Sequence, residues 1–266
     1  MRLAEFREQH SVRSHKIDGR EWLYFDSEDR APPDASVLVM IPGAFGAAEI
    51  FWNQIITVGD RLRIVSVTLP AIDNIADIVE GIAKFMDRLN VPSAHMLGSS
   101  LGGYVVQVFA SRYPHRLNQI FIGNSLLDAY GLAKPPTPEL VARMSGIELR
   151  QQIIATINAW PESDPTQEKL KPLLQDHAQR CLTDDMIKTR AVILHNLPEA
   201  PAIKDYHHRA VIIQCDDDAM LSEACNARVR QEFINAKLHR FATGGHFPYI
   251  TRSDDYSSII VDRLFS

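Results

Sequence analysis

The stretch from His95 to Gly103 reads His-Met-Leu-Gly-Ser-Ser-Leu-Gly-Gly, and it decides the fold. It contains G-x-S-x-G, with Gly98, Ser100 and Gly102 in the defined positions. An apolar run precedes it. A helical pattern carrying Val105, Val106, Phe109 and Ala110 follows. A serine placed between strand and helix in this way sits on a tight, strained turn. The flanking glycines remove side chains where the two elements cross. The Ser100 hydroxyl then stands at the C-terminal edge of a sheet, beside a helix N-terminus whose N–H groups favour developing negative charge.

Working outward, further compact apolar runs occupy 36–42 (SVLVMIP), 62–69 (LRIVSVTL), 119–123 (QIFIG) and 210–215 (AVIIQC). Runs of this length without polar alternation suit strands buried on both faces of a parallel sheet. Between them lie helical patterns. The clearest spans 73–89, with Ile75, Ile78, Val79, Ile82, Phe85, Met86 and Leu89 on one stripe. Another helix covers 254–265. Segments 10–17 and 21–26 read as an antiparallel lead-in hairpin joined near Asp18-Gly19. The alternation predicts an α/β class with a mostly parallel central sheet flanked by helices.

The alternation stops after residue 125. Residues 126–208 hold eight prolines, at 135, 136, 138, 161, 165, 172, 198 and 201, with helical segments at 139–144, 149–160, 168–181 and 185–196. An all-helical block between two sheet strands reads as an inserted cap. The expected organisation is a core of 1–125 plus 209–266, interrupted by a helical cap at 126–208.

Composition narrows the function classes. Of 266 residues, 45% are hydrophobic and 23% charged, enough apolar material for a large core. The formal charge of −5 offers no global basic field for nucleic acid. No uncharged apolar stretch reaches about 18 residues, so no membrane span is expected. The charged N-terminus lacks the apolar run of a signal peptide. Three cysteines make a disulfide framework an unsuitable reading, and the expected location is the cytoplasm.

A serine nucleophile needs a base, and the base needs an orienting acid. In strand-turn-helix hydrolases they follow in the order Ser, Asp/Glu, His. The 210–215 strand runs into Asp216-Asp217-Asp218, and Asp218 is the expected acid. Asp216 and Asp217 read as a solvated turn, and Asp128 is the reserve. The base is His246, in the Gly-rich loop Thr243-Gly-Gly-His246-Phe-Pro248 past a strand at 237–242. Of the other histidines, His10 and His15 lie in the lead-in region and His95 reads as packed in a strand. His115 and His239 read as surface positions, and His177 and His195 fall in the cap. Adjacent His207 and His208 point apart and lack ligand spacing, so no metal and no cofactor is expected. The oxyanion hole needs two N–H groups. Leu101 is one, and Ala44, ahead of Phe45, is the other, from the 42–46 loop. Cys215 reads as a small buried thiol. Phe45, Phe51 and Trp52 could border a pocket or pack the following helix, with packing the reading for Trp52, and Met144, Trp160 and Met186 read as cap core.

On these residues the chain resembles the α/β-hydrolase superfamily, and more narrowly its maspardin-like branch. The matching stretches are 98–128 (GSSLGGYVVQVFASRYPHRLNQIFIGNSLLD), 211–222 (VIIQCDDDAMLS) and 243–253 (TGGHFPYITRS). The loop after Pro70 is short and lacks the Asp-x-x-Gly-x-Gly segment of the wider superfamily. The resemblance spans 36–265 and is weakest in the cap. It implies a serine hydrolase cleaving a carboxylic ester or related small-molecule acyl substrate. Carbon–carbon bond and lactone hydrolysis can use the same triad. Animal maspardins carry Asn where this chain has His246, and the resemblance also implies a protein partner and a non-catalytic adaptor role as the alternative.

Overall fold

The structure is a computed structural model that describes residues 3–133, 137–159 and 165–265. Among these, eight strands form one sheet in the order β1-β2-β4-β3-β5-β6-β7-β8. They are β1 (Arg13–Ile17), β2 (Arg20–Asp26), β3 (Val37–Ile41), β4 (Arg63–Thr68), β5 (Ala94–Ser99), β6 (Leu117–Gly123), β7 (Ala210–Cys215) and β8 (Lys237–Phe241). Strands β3 to β8 are mutually parallel, and the β1–β2 hairpin is antiparallel to β4 on one edge. Asp18 and Gly19 make the hairpin turn, both at positive φ (48° and 80°), as a two-residue loop with the right-handed twist of its strands requires.

The continuous apolar runs are the central strands. Every residue of β7 is buried, as are four of the five in β3. One face carries α3 (Ile75–Arg88) and α4 (Leu101–Arg112). The Asn74 side chain caps α3 by accepting from Asp77 N at 2.8 Å, and its apolar stripe Ile78, Val79, Ile82, Phe85 and Met86 is buried. The other face carries α1 (Leu3–Gln9), α2 (Trp52–Val58) and α11 (Ser253–Phe265). Helix α9 (Glu223–Glu232) packs Cys225 and Val229 inward, and the short α10 (Pro248–Thr251) leads into α11.

Between β6 and β7 the described residues form α5 (Pro138–Arg143), α6 (Gly146–Asn158), α7 (Pro165–Arg180) and α8 (Asp184–His195). A Ser145–Glu148 capping box starts α6, and Thr183 caps α8. Helix α7 runs through Pro172, which removes one backbone hydrogen bond without ending it. Val141, Leu149, Leu182, Ile187 and Ala191 form an apolar cluster with Ala47 from the loop after β3, and half-buried Met144 and Met186 pack against it. Trp160, Pro135, Pro136 and Pro161 lie outside the described residues, as does the side chain of His207.

Candidate active site

The turn between β5 and α4 holds Ser100 at φ 54°, ψ −122°. That is a left-handed backbone for a residue with a Cβ, and such strain persists only when its surroundings impose it. Ser100 N donates to Gly123 O at 2.9 Å, extending the β5–β6 ladder. Ser125 Oγ donates to Ser100 O at 2.8 Å and fixes the turn from the other side. The glycines are required by close approach. A Cβ at Gly98 would lie 2.2 Å from Gly102 O, and one at Gly102 would lie 2.1 Å from Ile41 O.

Ser100 opens into a small cavity that also contains His246. Gly43, Ala44, Phe45, Leu132, Leu194, Met220, Leu221, Phe247 and Tyr249 are among its walls. Among the described residues, no Asp, Glu, Lys or Arg side chain lines it. Ser100 and His246 are 8% and 7% exposed, so a reaction here would proceed nearly free of bulk water. Ser100 Oγ and the imidazole are not hydrogen-bonded to each other in this state. Such bonds commonly form only once substrate is in place.

The other side of the imidazole is fully engaged. His246 Nδ1 lies 2.8 Å from Asp218 Oδ2, and the Asp218 side chain is wholly buried. Asp218 Oδ2 also accepts from Asn124 Nδ2 at 2.7 Å. Asp218 Oδ1 accepts from Met220 N at 2.8 Å and Leu221 N at 3.2 Å. Burial alone would push the Asp218 carboxyl up. The His246 charge and hydrogen bond, with those from Asn124 and Met220, outweigh it and hold the carboxyl below its ordinary value.

The reserve acid is engaged elsewhere, because Asp128 pairs with Arg228 at 2.8 Å and accepts from Tyr130 N. Asp216 is exposed and paired with Arg240. Asp217 is also exposed, but it does more than terminate a turn. Its two carboxylate oxygens accept from Gly244 N at 3.0 Å and Gly245 N at 2.8 Å, fixing the backbone just ahead of His246. Gly244 and Gly245 both have positive φ (154° and 62°), a shape that places the imidazole over Asp218.

Two backbone N–H groups stand near Ser100. Leu101 N–H is the first of α4, where no carbonyl one turn back is available to accept it. Ala44 N–H and Phe45 N–H have no hydrogen-bond partner among the described residues. Gly43 lets this loop close on Ser100, since a Cβ there would be 3.0 Å from Ser100 Cβ and 3.5 Å from Ser100 Oγ.

Of the remaining residues singled out from sequence, Phe51 and Trp52 are buried in the core and Cys215 is a buried thiol. His95 is half-buried and accepts from Gln119 N at 3.3 Å, His115 is exposed, and His239 is half-buried rather than free on the surface. Burial pushes both His95 and His239 below the ordinary imidazole value.

Sequence reasoning missed a second polar cluster. Glu49, His177 and Cys181 bring potential ligand atoms within 4.8 Å of one another. Their hydrogen bonds account for them. His177 Nε2 accepts from Ala47 N at 2.7 Å, so its proton is on Nδ1, facing Glu49 Oε1 at 3.3 Å. Glu49 is held further by Arg7 and by Cys181 Sγ at 3.1 Å. An imidazole committed on both nitrogens has no lone pair for a metal. The signal available was Glu49 itself, a carboxylate within the apolar run AAEIFW.

Comparison with known proteins agrees with this architecture. The model of the alpha/beta hydrolase family matches residues 38–258. Maspardin from Homo sapiens is 24% identical over 252 residues, covering 93% of this chain and 80% of the relative. The 2-hydroxy-6-oxo-6-phenylhexa-2,4-dienoate hydrolase of Comamonas testosteroni is 21% identical, covering 98% and 99%. The crystal structure of the enol-lactonase from Burkholderia xenovorans LB400 superposes with a TM-score of 0.76 at 15% identity, covering 96% and 100%. With its sheet order, its strained serine turn and this match over most of its length, the chain belongs to the alpha/beta hydrolase family and resembles that family's maspardin branch.

Proposed function

We propose that the chain is a serine hydrolase acting on neutral carboxylic esters or closely related acyl compounds. The observation that carries the reading is one cavity shared by Ser100, on its positive-φ turn, and His246, whose Nδ1 pairs with Asp218. Pairing at Nδ1 leaves Nε2 as the proton acceptor. Ser100 Oγ attacks the carbonyl carbon as its proton passes to Nε2. Leu101 N–H and Ala44 N–H, with Phe45 N–H adjoining, receive the oxyanion. Asp218 holds the imidazole in orientation and stabilises its charged form. Collapse of the tetrahedral intermediate expels the alcohol, which leaves with the proton from His246. Water, deprotonated by the same Nε2, then cleaves the acyl-enzyme to the acid and regenerates Ser100.

The walls select the substrate class. Phe45, Leu132, Leu194, Met220, Leu221 and Phe247 are apolar, and no cation among the described residues awaits a substrate carboxylate. That favours neutral ester or lactone carbonyls over carbon–carbon cleavage of anionic dienoates. The segment between β6 and β7 acts as a cap, since Leu132, ahead of its helices, and Leu194 of α8 close the cavity from that side. The three cysteines are free, and no helix among the described residues is long and apolar enough to cross a membrane; both are compatible with the cytoplasm.

A chain-length series of p-nitrophenyl esters tests the proposal. Acetyl and propionyl esters are expected to turn over with the highest kcat/KM, falling by at least about tenfold at octanoyl, as roughly 1.4 kcal/mol of misfit requires. No turnover of any ester in the series, nor of lactones assayed beside it, would remove the catalytic reading. It would leave the protein-binding role suggested by the likeness to maspardin.

A further inference from the structure

The loop that carries Ala44 and Phe45 does not hold its shape alone. Within it, Gly46 N donates to Gly43 O at 3.0 Å, which fixes the 43–44 peptide and so the direction of Ala44 N–H. The next peptides are fixed from outside. Arg190 Nη1 donates to Ala44 O at 3.2 Å and to Gly46 O at 2.7 Å, and its Nη2 donates to Leu69 O. Because a trans peptide points its C=O and N–H in opposite directions, anchoring Ala44 O also fixes the direction of Phe45 N–H. The 46–47 peptide is held at both ends, its oxygen by Arg190 and its N–H by His177 Nε2 at 2.7 Å.

Both anchors come from the helices between β6 and β7, Arg190 from α8 and His177 from α7. Arg190 is only 1% exposed, and among the described residues it meets main-chain carbonyls rather than a carboxylate. Burial pushes its guanidinium down to about 10. A guanidinium buried without a counterion is disfavoured on its own account, and its fork of donors suits it to gathering several carbonyls at once. Glu49 and Arg7 then hold His177 and α7 against the core.

We propose that Arg190 and His177 are positioning residues that fix the 43–47 loop in its oxyanion-binding shape, so that the hole is complete only while α7 and α8 are docked. This rests on the serine-hydrolase reading. If the 44–45 peptide turned over, a carbonyl oxygen would face the developing oxyanion in place of an N–H. The transition state would lose an attraction and meet a repulsion, while ground-state binding along the apolar walls would change little.

The test uses the full chain carrying Arg190→Lys, His177→Leu or His177→Gln. Gln can present an oxygen to Ala47 N–H where Nε2 stood. Each variant is assayed for kcat and KM on p-nitrophenyl acetate, for thermal unfolding, and for hydrogen exchange in residues 43–48 and 101–112. Arg190→Lys and His177→Leu are expected to lower kcat about tenfold or more, with KM changed less than about threefold. Exchange should rise in 43–48 but not in 101–112, and His177→Gln should recover most of the kcat. A folded Arg190→Lys with wild-type kcat and unchanged exchange in 43–48 overturns the proposal. So does a loss of kcat that His177→Gln shares equally with His177→Leu. If Arg190→Lys fails to fold, the His177 pair decides. If the wild type turns over no ester, the hydrolase reading fails separately, and exchange in 43–48 still decides whether the clamp exists.

Discussion

Asp218→Asn changes one oxygen to an NH2 group, and the surrounding hydrogen bonds dictate which one. Asp218 Oδ1 accepts from two main-chain donors, Met220 N at 2.8 Å and Leu221 N at 3.2 Å, so the oxygen of the new amide must stay there. The NH2 then occupies the place of Oδ2, which now faces His246 Nδ1 at 2.8 Å and Asn124 Nδ2 at 2.7 Å. A donor at that place requires Nδ1 to accept, which moves the imidazole proton to Nε2. In that tautomer the ring cannot take the proton of Ser100, and no carboxylate stabilises the imidazolium. The loss of kcat expected from a wrong tautomer is about 10⁴-fold. At 1.36 kcal/mol per tenfold that is about 5.4 kcal/mol of transition-state stabilisation. The fold should survive, because three of the four hydrogen-bond positions keep a workable geometry, although two NH2 groups now face each other at Asn124. The assay is kcat on p-nitrophenyl acetate beside a thermal melt. A folded Asp218→Asn within tenfold of wild type would refute the assignment of the acid, and a large loss in Asp128→Asn would move the role there.

Other perturbations have equally definite outcomes. Burial pushes the Glu49 carboxyl up, but hydrogen bonds from His177, Arg7 and Cys181 outweigh it and hold the group well below its ordinary 4.5. Because the folded value is the lower one, the stabilisation is complete above the ordinary value of 4.5 and is lost progressively as pH falls from there toward the folded value. Glu49→Gln should therefore cost about 1–3 kcal/mol at pH 7. It should also unfold with a smaller drop in Tm between pH 6 and pH 3 than the wild type; an unchanged drop would contradict the network. Gly102→Ala places a methyl 2.1 Å from Ile41 O, a main-chain atom that cannot swing aside. It should destabilise the fold by about 1–3 kcal/mol and disturb the serine turn, so a wild-type Tm together with wild-type turnover would contradict the geometry of the elbow.

The fold was legible because its central strands are buried on both faces and show that burial as unbroken apolar runs. The 210–215 run became β7, and the Asp18-Gly19 pair marked the β1–β2 turn. Helix α9 escaped notice because a mean composition this polar leaves only Cys225, Asn226 and Val229 buried. Helix α7 runs through Pro172 as the 168–181 segment implied, and it starts three residues earlier, at Pro165. At the site, Ser100 and His246 announce themselves through glycines that the backbone needs. The supporting groups do not. Asn124 acts through a positive φ of 37° and a side chain aimed at a residue 94 positions away. Asp217 looked like a solvated neighbour of Asp218, since nothing in a run of three carboxylates says which one grips the Gly244-Gly245 backbone. Arg190 is a charge inside an apolar helical pattern, which marks something unusual but not its target 146 residues earlier.

The central claim is that Ser100 is a nucleophile activated in this cavity, and covalent labelling addresses it most directly. Wild-type chain and Ser100→Ala, each checked for folding, are treated with a fluorophosphonate and digested for mass spectrometry. The account predicts one adduct on the wild type, on the peptide that carries Ser100, and none on Ser100→Ala. An unlabelled wild type, or equal labelling of both proteins at another residue, would contradict it.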